Sequence, residues 1–227
     1  MATPFLDEDF ARAEICRVGR SLFERGYVHA TAGNISVRLA DGYLITPTDA
    51  CLGTLEPARL ARLDAEGRQT GGDRGSKTIV LHRRIYAASE ATAQPARCII
   101  HTHGTHLVAR SLQAEGEAEL LPPITPYFVM KVGRVPHIDY QRPGAPEAAD
   151  AVAEAITRYA AAGRPIRAVM LARLGPNVWH DSPAAAMAVL EELEETARLA
   201  LLVPEALARP LDEARIQTLR ETFGASW

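Results

Sequence analysis

The sequence predicts a single α/β domain, and three observations carry that expectation. Apolar stripes at helical spacing alternate with short runs of period two along most of the chain. Neither an internal repeat nor a linker-like stretch divides it. The composition is that of an ordinary globular domain, with 47% hydrophobic and 23% charged residues in 227. The formal net charge of −3 carries no basic excess, which argues against a nucleic-acid partner. Apolar runs fall short of the ~20 residues that a membrane span needs, so no membrane partner is expected. The acidic start MATPFLDEDF does not read as a secretory leader. Three cysteines, Cys16, Cys51 and Cys98, are unpatterned, which predicts no disulfide framework and a reducing, cytoplasmic setting.

Residues 7–25 read as a helix with Ala11, Ile15, Val18 and Leu22 on one face and Gly26 as its stop. Ile35, Val37 and Leu39 alternate with polar residues and are answered by Tyr43 to Ile45, with Asp41-Gly42 as the hairpin turn. A short strand is expected at Leu60–Leu63, then a turn at Ala65-Glu66-Gly67 and a glycine-rich loop from Gln69 to Gly75. Residues 77–90 fit a helix, and Cys98-Ile99-Ile100 a buried strand ending at His101. A two-turn helix from Thr105 to Leu112 follows, and then Pro122, Pro123 and Pro126 break the chain. Pro146 opens an alanine-rich helix that ends near Gly163, and Ala168–Ala172 reads as a strand. Asp181 or Ser182 caps a long helix that starts at Pro183, with Met187, Leu190, Leu193 and Ala197 on its apolar stripe. Its acids Glu191, Glu192, Glu194 and Glu195 read as a solvated face. A last short helix is expected over 211–222. Trp179 and Trp227 read as packing or interface groups, Cys98 as a small buried apolar residue, and His29 and His137 carry no assignment.

The local chemical signal is His101-Thr102-His103-Gly104-Thr105-His106. Residues i and i+2 of a strand share a face, so His101 and His103 can present two imidazoles in one direction. Imidazole suits zinc, manganese or iron, and zinc in enzymes commonly takes three protein ligands and an open position. His106, one turn into the next helix, is a candidate third ligand or a donor behind the ligands. Taken alone, the motif also fits loop histidines or a satisfied core pair. Three further segments suit an anion. Gly33-Asn34 lets backbone amides approach a phosphate, Thr46 and Thr48 offer hydroxyls, and Ser76-Lys77 precedes a helix N-terminus. Each alone reads more readily as a turn or a cap.

In their order along the chain, GNIS, ITPT, a Ser-Lys helix start, HTH, PY, a Gly-Pro loop and a glutamate-rich helix resemble the class II aldolases from about residue 10 to residue 203. That family includes fuculose-phosphate aldolase, ribulose-phosphate 4-epimerase and the 3-oxo-tetronate 4-phosphate decarboxylases. The wording LPPITPYFVMKVGRVPHIDYQRPG and LEELEETARLALL looks most like the decarboxylase branch. The resemblance implies one domain with a central, largely antiparallel sheet flanked by helices, residues 204–227 forming a tail. It also implies a homotetramer with sites between subunits, and a phosphorylated sugar acid as substrate. His101 and His103 match the metal positions. Gly33, Asn34, Thr46, Thr48, Ser76 and Lys77 match the phosphate positions, and Tyr127 matches a proton-moving tyrosine that reaches a neighbouring site.

Two positions depart from the family pattern. The acid expected four residues before His82 is Thr78, and the third metal histidine, expected just before Gly175, is Leu174. Three outcomes stay open. His106, His82 or His180 replaces the missing ligand; two histidines and substrate oxygens hold a weaker divalent metal, zinc ahead of manganese or magnesium; or Arg173 binds an anion in a site without metal. The expected activity is decarboxylation of a 3-oxo-tetronate 4-phosphate. The alternatives are an aldolase or epimerase of a sugar phosphate, and a degenerate member that binds without chemistry.

Overall fold

Eight strands form one sheet in the computed structural model, which describes residues 5–204, 207 and 209–227. In chain order the strands are β1 (Asn34–Leu39), β2 (Gly42–Ile45), β3 (Ala61–Asp64), β4 (Gln69–Gly71), β5 (Cys98–His101), β6 (His137–Ile138), β7 (Ala168–Leu171) and β8 (Gly175–His180). Their order across the sheet is β4-β3-β2-β1-β5-β8-β7-β6. Every pairing is antiparallel except that of β6 with β7. The α-helices are α1 (Glu8–Glu24), α2 (Ile79–Ser89), α3 (Thr105–Gln113), α4 (Pro146–Ala161), α5 (Pro183–Leu202) and α6 (Glu213–Phe223). None is long and apolar enough to cross a membrane among the described residues.

The strand period of two sorts side chains into two cores. Ile35, Val37, Cys98, Ile100, Met170 and Val178 pack with the buried stripes of α1 and α5. Ile99, Val169, Leu171 and Trp179 pack on the opposite face with Ile85 and Tyr86 of α2 and with α4. The helix ends follow their capping residues. The Asp7 carboxylate accepts the N–H groups of Asp9 and Phe10, the Ser182 hydroxyl accepts that of Ala185, and Gly224 closes α6 at a left-handed φ of 68°.

Several expectations need correction. The β1–β2 turn is Ala40-Asp41, since Leu39 pairs with Gly42. Gly42 begins β2 because a Cβ there would meet the Leu63 carbonyl of β3 at 2.1 Å. Residues 69–71 of the expected loop form edge strand β4, and β6 and β8 were not expected. β8 opens with Gly175-Pro176, which reads as a loop because proline brings no donor to a ladder. The tail is not peripheral, since Ile216 and Trp227 belong to the core on the α1/α5 face. The glutamate face of α5 is not all solvated. Glu194 is only 8% exposed, and its carboxylate accepts the N–H groups of His106 and Leu107 at 3.0 and 3.2 Å. It therefore caps α3 from a neighbouring helix, where the dipole favours negative charge. Cys98 is fully buried, with its thiol pushed up by burial.

Gly175 sits at φ 139°, and a Cβ there would lie 2.0 Å from the Thr102 carbonyl. Gly175→Ala is expected to destabilise the fold by about 1–3 kcal/mol, and the urea-unfolding midpoint checks it.

Candidate active site

Strand register builds the site. His101 of β5 lies opposite Asn34 of β1 on one side and Asn177 of β8 on the other. Cross-strand partners share a face, so Asn34, His101 and Asn177 form a polar row on the α2 side. The row sits two residues beyond the apolar Ile99–Trp179 pair on that face. Ser36, two residues along β1 from Asn34, shares hydrogen bonds with His82 Nδ1 at 2.8 Å and the Tyr86 hydroxyl at 2.7 Å. These bonds tie α2 to the sheet beneath the row.

His101 and His103 do face one another. Their Nε2 atoms are 3.2 Å apart and their ring centroids 5.0 Å apart. His101 Nδ1 lies 2.8 Å from the Pro176 carbonyl, an oxygen that only accepts, so Nδ1 carries the proton and donates. In the neutral ring Nε2 then keeps its lone pair, the arrangement that orients metal-ligating imidazoles. Burial, then the neighbouring His103, pushes the His101 pKa down to about 4, against the Pro176 hydrogen bond. Burial and then His29 lower that of His103. His82 is fully buried, and burial followed by His101 pushes it down to about 3, with the Asn177 amide beside it opposing. All three rings are therefore neutral at pH 7.

The segments that the sequence marks as suited to an anion meet beside this row. The Asn34 side-chain N–H donates to the Thr78 hydroxyl at 3.3 Å, and the Ser76 hydroxyl is 3.1 Å from the same oxygen. The Ser76 N–H donates to the Thr46 carbonyl, and the Thr48 N–H to the Arg74 carbonyl. Gly33, at φ 84°, brings the backbone against the His101 carbonyl, where a Cβ would lie at 2.8 Å. Lys77 is exposed just ahead of α2. The Thr46 hydroxyl, by contrast, is buried and accepts the Ile35 N–H at 3.2 Å, which assigns it to strand pairing rather than to the cradle surface. A cavity of about 290 Å³ adjoins Thr48 and is lined by Arg59 and Arg74 among others. Neither arginine entered the sequence reading.

Other candidates lie apart from the imidazole pair. The Arg173 guanidinium, offered by the sequence as an anion binder, pairs with Glu115 at 2.7 Å on the surface. Leu174 packs with the apolar cluster of α2 and α4. His106 Nδ1 is bound to Glu194 at 2.8 Å. His180 pairs with Cys98 at the other end of β5, and its Nδ1 contacts Asp181 at 2.7 Å. Tyr127 is 61% exposed and makes no hydrogen bond or ring contact with either histidine among the described residues. His29, to which the sequence assigned nothing, stands edge-on to His103 with centroids 6.5 Å apart. Only tertiary contact reveals it, since 74 positions of sequence separate the two.

Two nitrogens on one tetrahedral zinc at ~2.0–2.1 Å lie about 3.3 Å apart, close to the 3.2 Å seen here. The two cross-strand partners of His101 carry buried amide atoms without hydrogen-bond partners, Asn34 Oδ1 and both amide atoms of Asn177. The donor set thus fits two ligands of a divalent ion within a polar surround. Among the described residues no three His, Cys, Asp or Glu side chains converge as a ready cluster.

Residues 13–201 match the model of the class II aldolase and adducin N-terminal domain, and the chain belongs to this family. The family generally uses a divalent metal. The chain is 46% identical to the 3-oxo-tetronate 4-phosphate decarboxylase of Cupriavidus necator, over 97% of this chain and 99% of that protein. It is 38% identical to the decarboxylase of the same name from Escherichia coli K12, over 94% and 96% of the two chains. The crystal structure of YgbL from Klebsiella pneumoniae superposes with a TM-score of 0.83 at 38% identity, covering 95% of this chain and all of that one.

In protein stripped of metal, the unfolded chain protonates His82 below about 6.5, whereas the folded chain resists down to about 3. The native state then binds fewer protons, so stability is complete above about pH 6.5 and falls as pH drops through that window. Urea midpoints measured between pH 7 and pH 4.5 are expected to decline, with a shallower slope in His82→Gln.

Proposed function

We propose that this chain is a carbon–carbon lyase that decarboxylates a 3-oxo-tetronate 4-phosphate. The observation that carries the reading is the convergence of the His101 and His103 Nε2 atoms, 3.2 Å apart, beside the Asn34–Ser76–Thr78 cradle. The likeness to the Cupriavidus necator decarboxylase supports it. A divalent metal on these imidazoles, zinc ahead of manganese or magnesium, would supply positive charge beside the ketone oxygen, where the electrons of the breaking bond collect. Gly33, Asn34, Thr48, Ser76 and Lys77 hold the phosphate at the N-terminal end of α2, where the helix dipole favours an anion. Fixing that end of the substrate orients the carboxylate for departure as carbon dioxide.

Thr78 favours this reaction over aldol cleavage or epimerisation. A threonine hydroxyl is no general base near pH 7, and aldol cleavage begins with removal of a hydroxyl proton. Decarboxylation of a β-keto acid begins with the carbon–carbon bond itself and asks for no such base. The Thr78 hydroxyl, hydrogen-bonded with Asn34 and Ser76, instead completes the cradle. The carbon left behind takes up a proton, which we assign to Tyr127. Its exposure suits service to the site of a neighbouring copy in a homotetramer. A cytoplasmic location accords with the three free cysteines.

A binding-only protein is the second reading, favoured by Leu174, which packs in an apolar cluster and offers no ligand. Carbon dioxide release from 3-oxo-tetronate 4-phosphates, with zinc, manganese or magnesium added, separates the two. The lyase reading expects turnover, a fall of about 10²–10³-fold in kcat for His101→Ala, and a far smaller effect for Thr78→Ala. Thermal stabilisation by ligand with no gas released would establish the binding protein instead.

A further inference from the structure

Gln69, the first residue of edge strand β4, ties down the loop that follows it with one side chain. Its Nε2 donates to the Asp73 carbonyl at 2.8 Å and reaches those of Gly71 and Gly72 at 3.1 Å, and its Oε1 accepts the Gly75 N–H at 3.0 Å. The Asp73 N–H donates to the Arg59 carbonyl at 2.9 Å, and the Arg74 carbonyl accepts the Thr48 N–H at 2.8 Å. The main chain on both sides of Arg74 is therefore fixed. Its side chain is not, since the residue is exposed and its guanidinium makes no hydrogen bond or ion pair among the described residues.

Register aims that side chain. Pro47 and Gly75 form an antiparallel bridge. It is flanked by the Thr48–Arg74 hydrogen bond and by that from the Ser76 N–H to the Thr46 carbonyl at 3.1 Å. Directly opposed residues share a face, and faces alternate along the chain. Arg74 thus stands across from Thr48, on the face that also carries Ser76. Arg74 and Thr48 line the same cavity of about 290 Å³. The other arginine of that lining is occupied, because Arg59 pairs with Asp73 at 2.7 Å and with Glu56 at 3.6 Å. Those pairs leave Asp49 as the one lining carboxylate without an ion pair among the described residues. Against it stand Arg74, Lys77 and the N-terminal end of α2, so the balance favours an anion. A guanidinium fork fits the oxygens of a phosphate dianion, and a fixed main chain reduces the ordering that binding requires.

We propose that Arg74 is a further ligand of the substrate phosphate, and that Gln69 is the positioning residue that presents it. The assignment rests on the reading of Gly33, Asn34, Thr48, Ser76 and Lys77 as the phosphate site. It closes the Thr48 side of that site with a cation and makes the preference for a phosphorylated over a free sugar acid depend on Arg74.

Inorganic phosphate is the probe, and ³¹P NMR line broadening reads its affinity without any turnover. It is titrated into wild type, Arg74→Ala, Arg74→Lys, Gln69→Ala, Ser76→Ala and the double variant Gln69→Ala/Arg74→Ala. Loss of the Arg74 guanidinium is expected to weaken phosphate by about 10-fold or more, with the urea midpoint unchanged because the side chain has no partner in the free protein. Arg74→Lys recovers part of the loss, since lysine returns the charge without the fork. Gln69→Ala weakens phosphate when Arg74 is present and adds nothing in the double variant, because it acts through Arg74. If Arg74→Ala binds phosphate as tightly as wild type while Ser76→Ala does not, the assignment of Arg74 is overturned and the remaining site stands. Additive losses in the double variant overturn the positioning role of Gln69. If wild type binds no phosphate, the phosphate site itself fails and the assignment falls with it. Phosphate binding that depends on Arg74, with no carbon dioxide released from 3-oxo-tetronate 4-phosphates, upholds the assignment and removes the lyase reading alone.

Discussion

The pairing of β1, β5 and β8 is the constraint on which the site depends. Three antiparallel strands in fixed register place Asn34, His101 and Asn177 side by side, and a slip of one residue in any of them would send its side chain to the opposite core. Two glycines make the close approach possible. Gly33 brings β1 against the His101 carbonyl, and Gly175 brings β8 against the Thr102 carbonyl. The same strand ends fix the protonation of the site. Pro176, at the start of β8, supplies no N–H to the ladder, yet its carbonyl takes the proton of His101 Nδ1 and leaves Nε2 facing His103. Backbone geometry, rather than a carboxylate, therefore sets the tautomer.

Around this frame the polar groups are arranged in two tiers. Ser36, His82 and Tyr86 lock α2 to the sheet beneath the row, and Glu194 locks α3 from the other side through the amides of His106 and Leu107. A helix start held by a buried carboxylate is a firm anchor for the His103–Gly104 turn, because the charge meets both free N–H groups and the helix dipole. Gly104 is required there, since a Cβ would lie 2.4 Å from the Glu194 carboxylate. The glutamate-rich stretch of α5 thus contains one residue that positions the site among others that face solvent. The departures at Thr78 and Leu174 each find partners in the fold. Thr78 joins Asn34 and Ser76 by hydrogen bonds, and Leu174 joins an apolar cluster.

Much of the fold was legible because local signals and tertiary packing agree. The stripe Ala11, Ile15, Val18 and Leu22 is the buried face of α1, and the alternation of Ile35, Val37 and Leu39 is that of β1. The cap at Ser182 and the proline after it start α5 as read. Strands β4, β6 and β8 were not legible. β4 is three exposed residues at an edge, β6 is two residues, and β8 opens with Gly-Pro, so none carries a run long enough to show period two or free of a breaker. In the candidate site the His101–His103 spacing and the Gly33-Asn34 and Ser76 segments were readable from residue types. The inward turn of the Thr46 hydroxyl and the pairing of Arg173 with Glu115 were not, because each depends on a partner distant in the chain.

What the sequence determined by itself is the helices, the strands β1, β2, β3, β5 and β7, and the presence of two imidazoles two residues apart at a strand end, since each follows from spacing along one segment. The tertiary structure alone decided which groups those imidazoles meet. Pro176 behind His101, Asn34 and Asn177 beside it, and His29 at the edge of His103 are brought together only when strands distant in sequence pair and a loop folds back over their ends. Contacts of that kind are fixed by register and loop closure, which no short stretch of residues encodes.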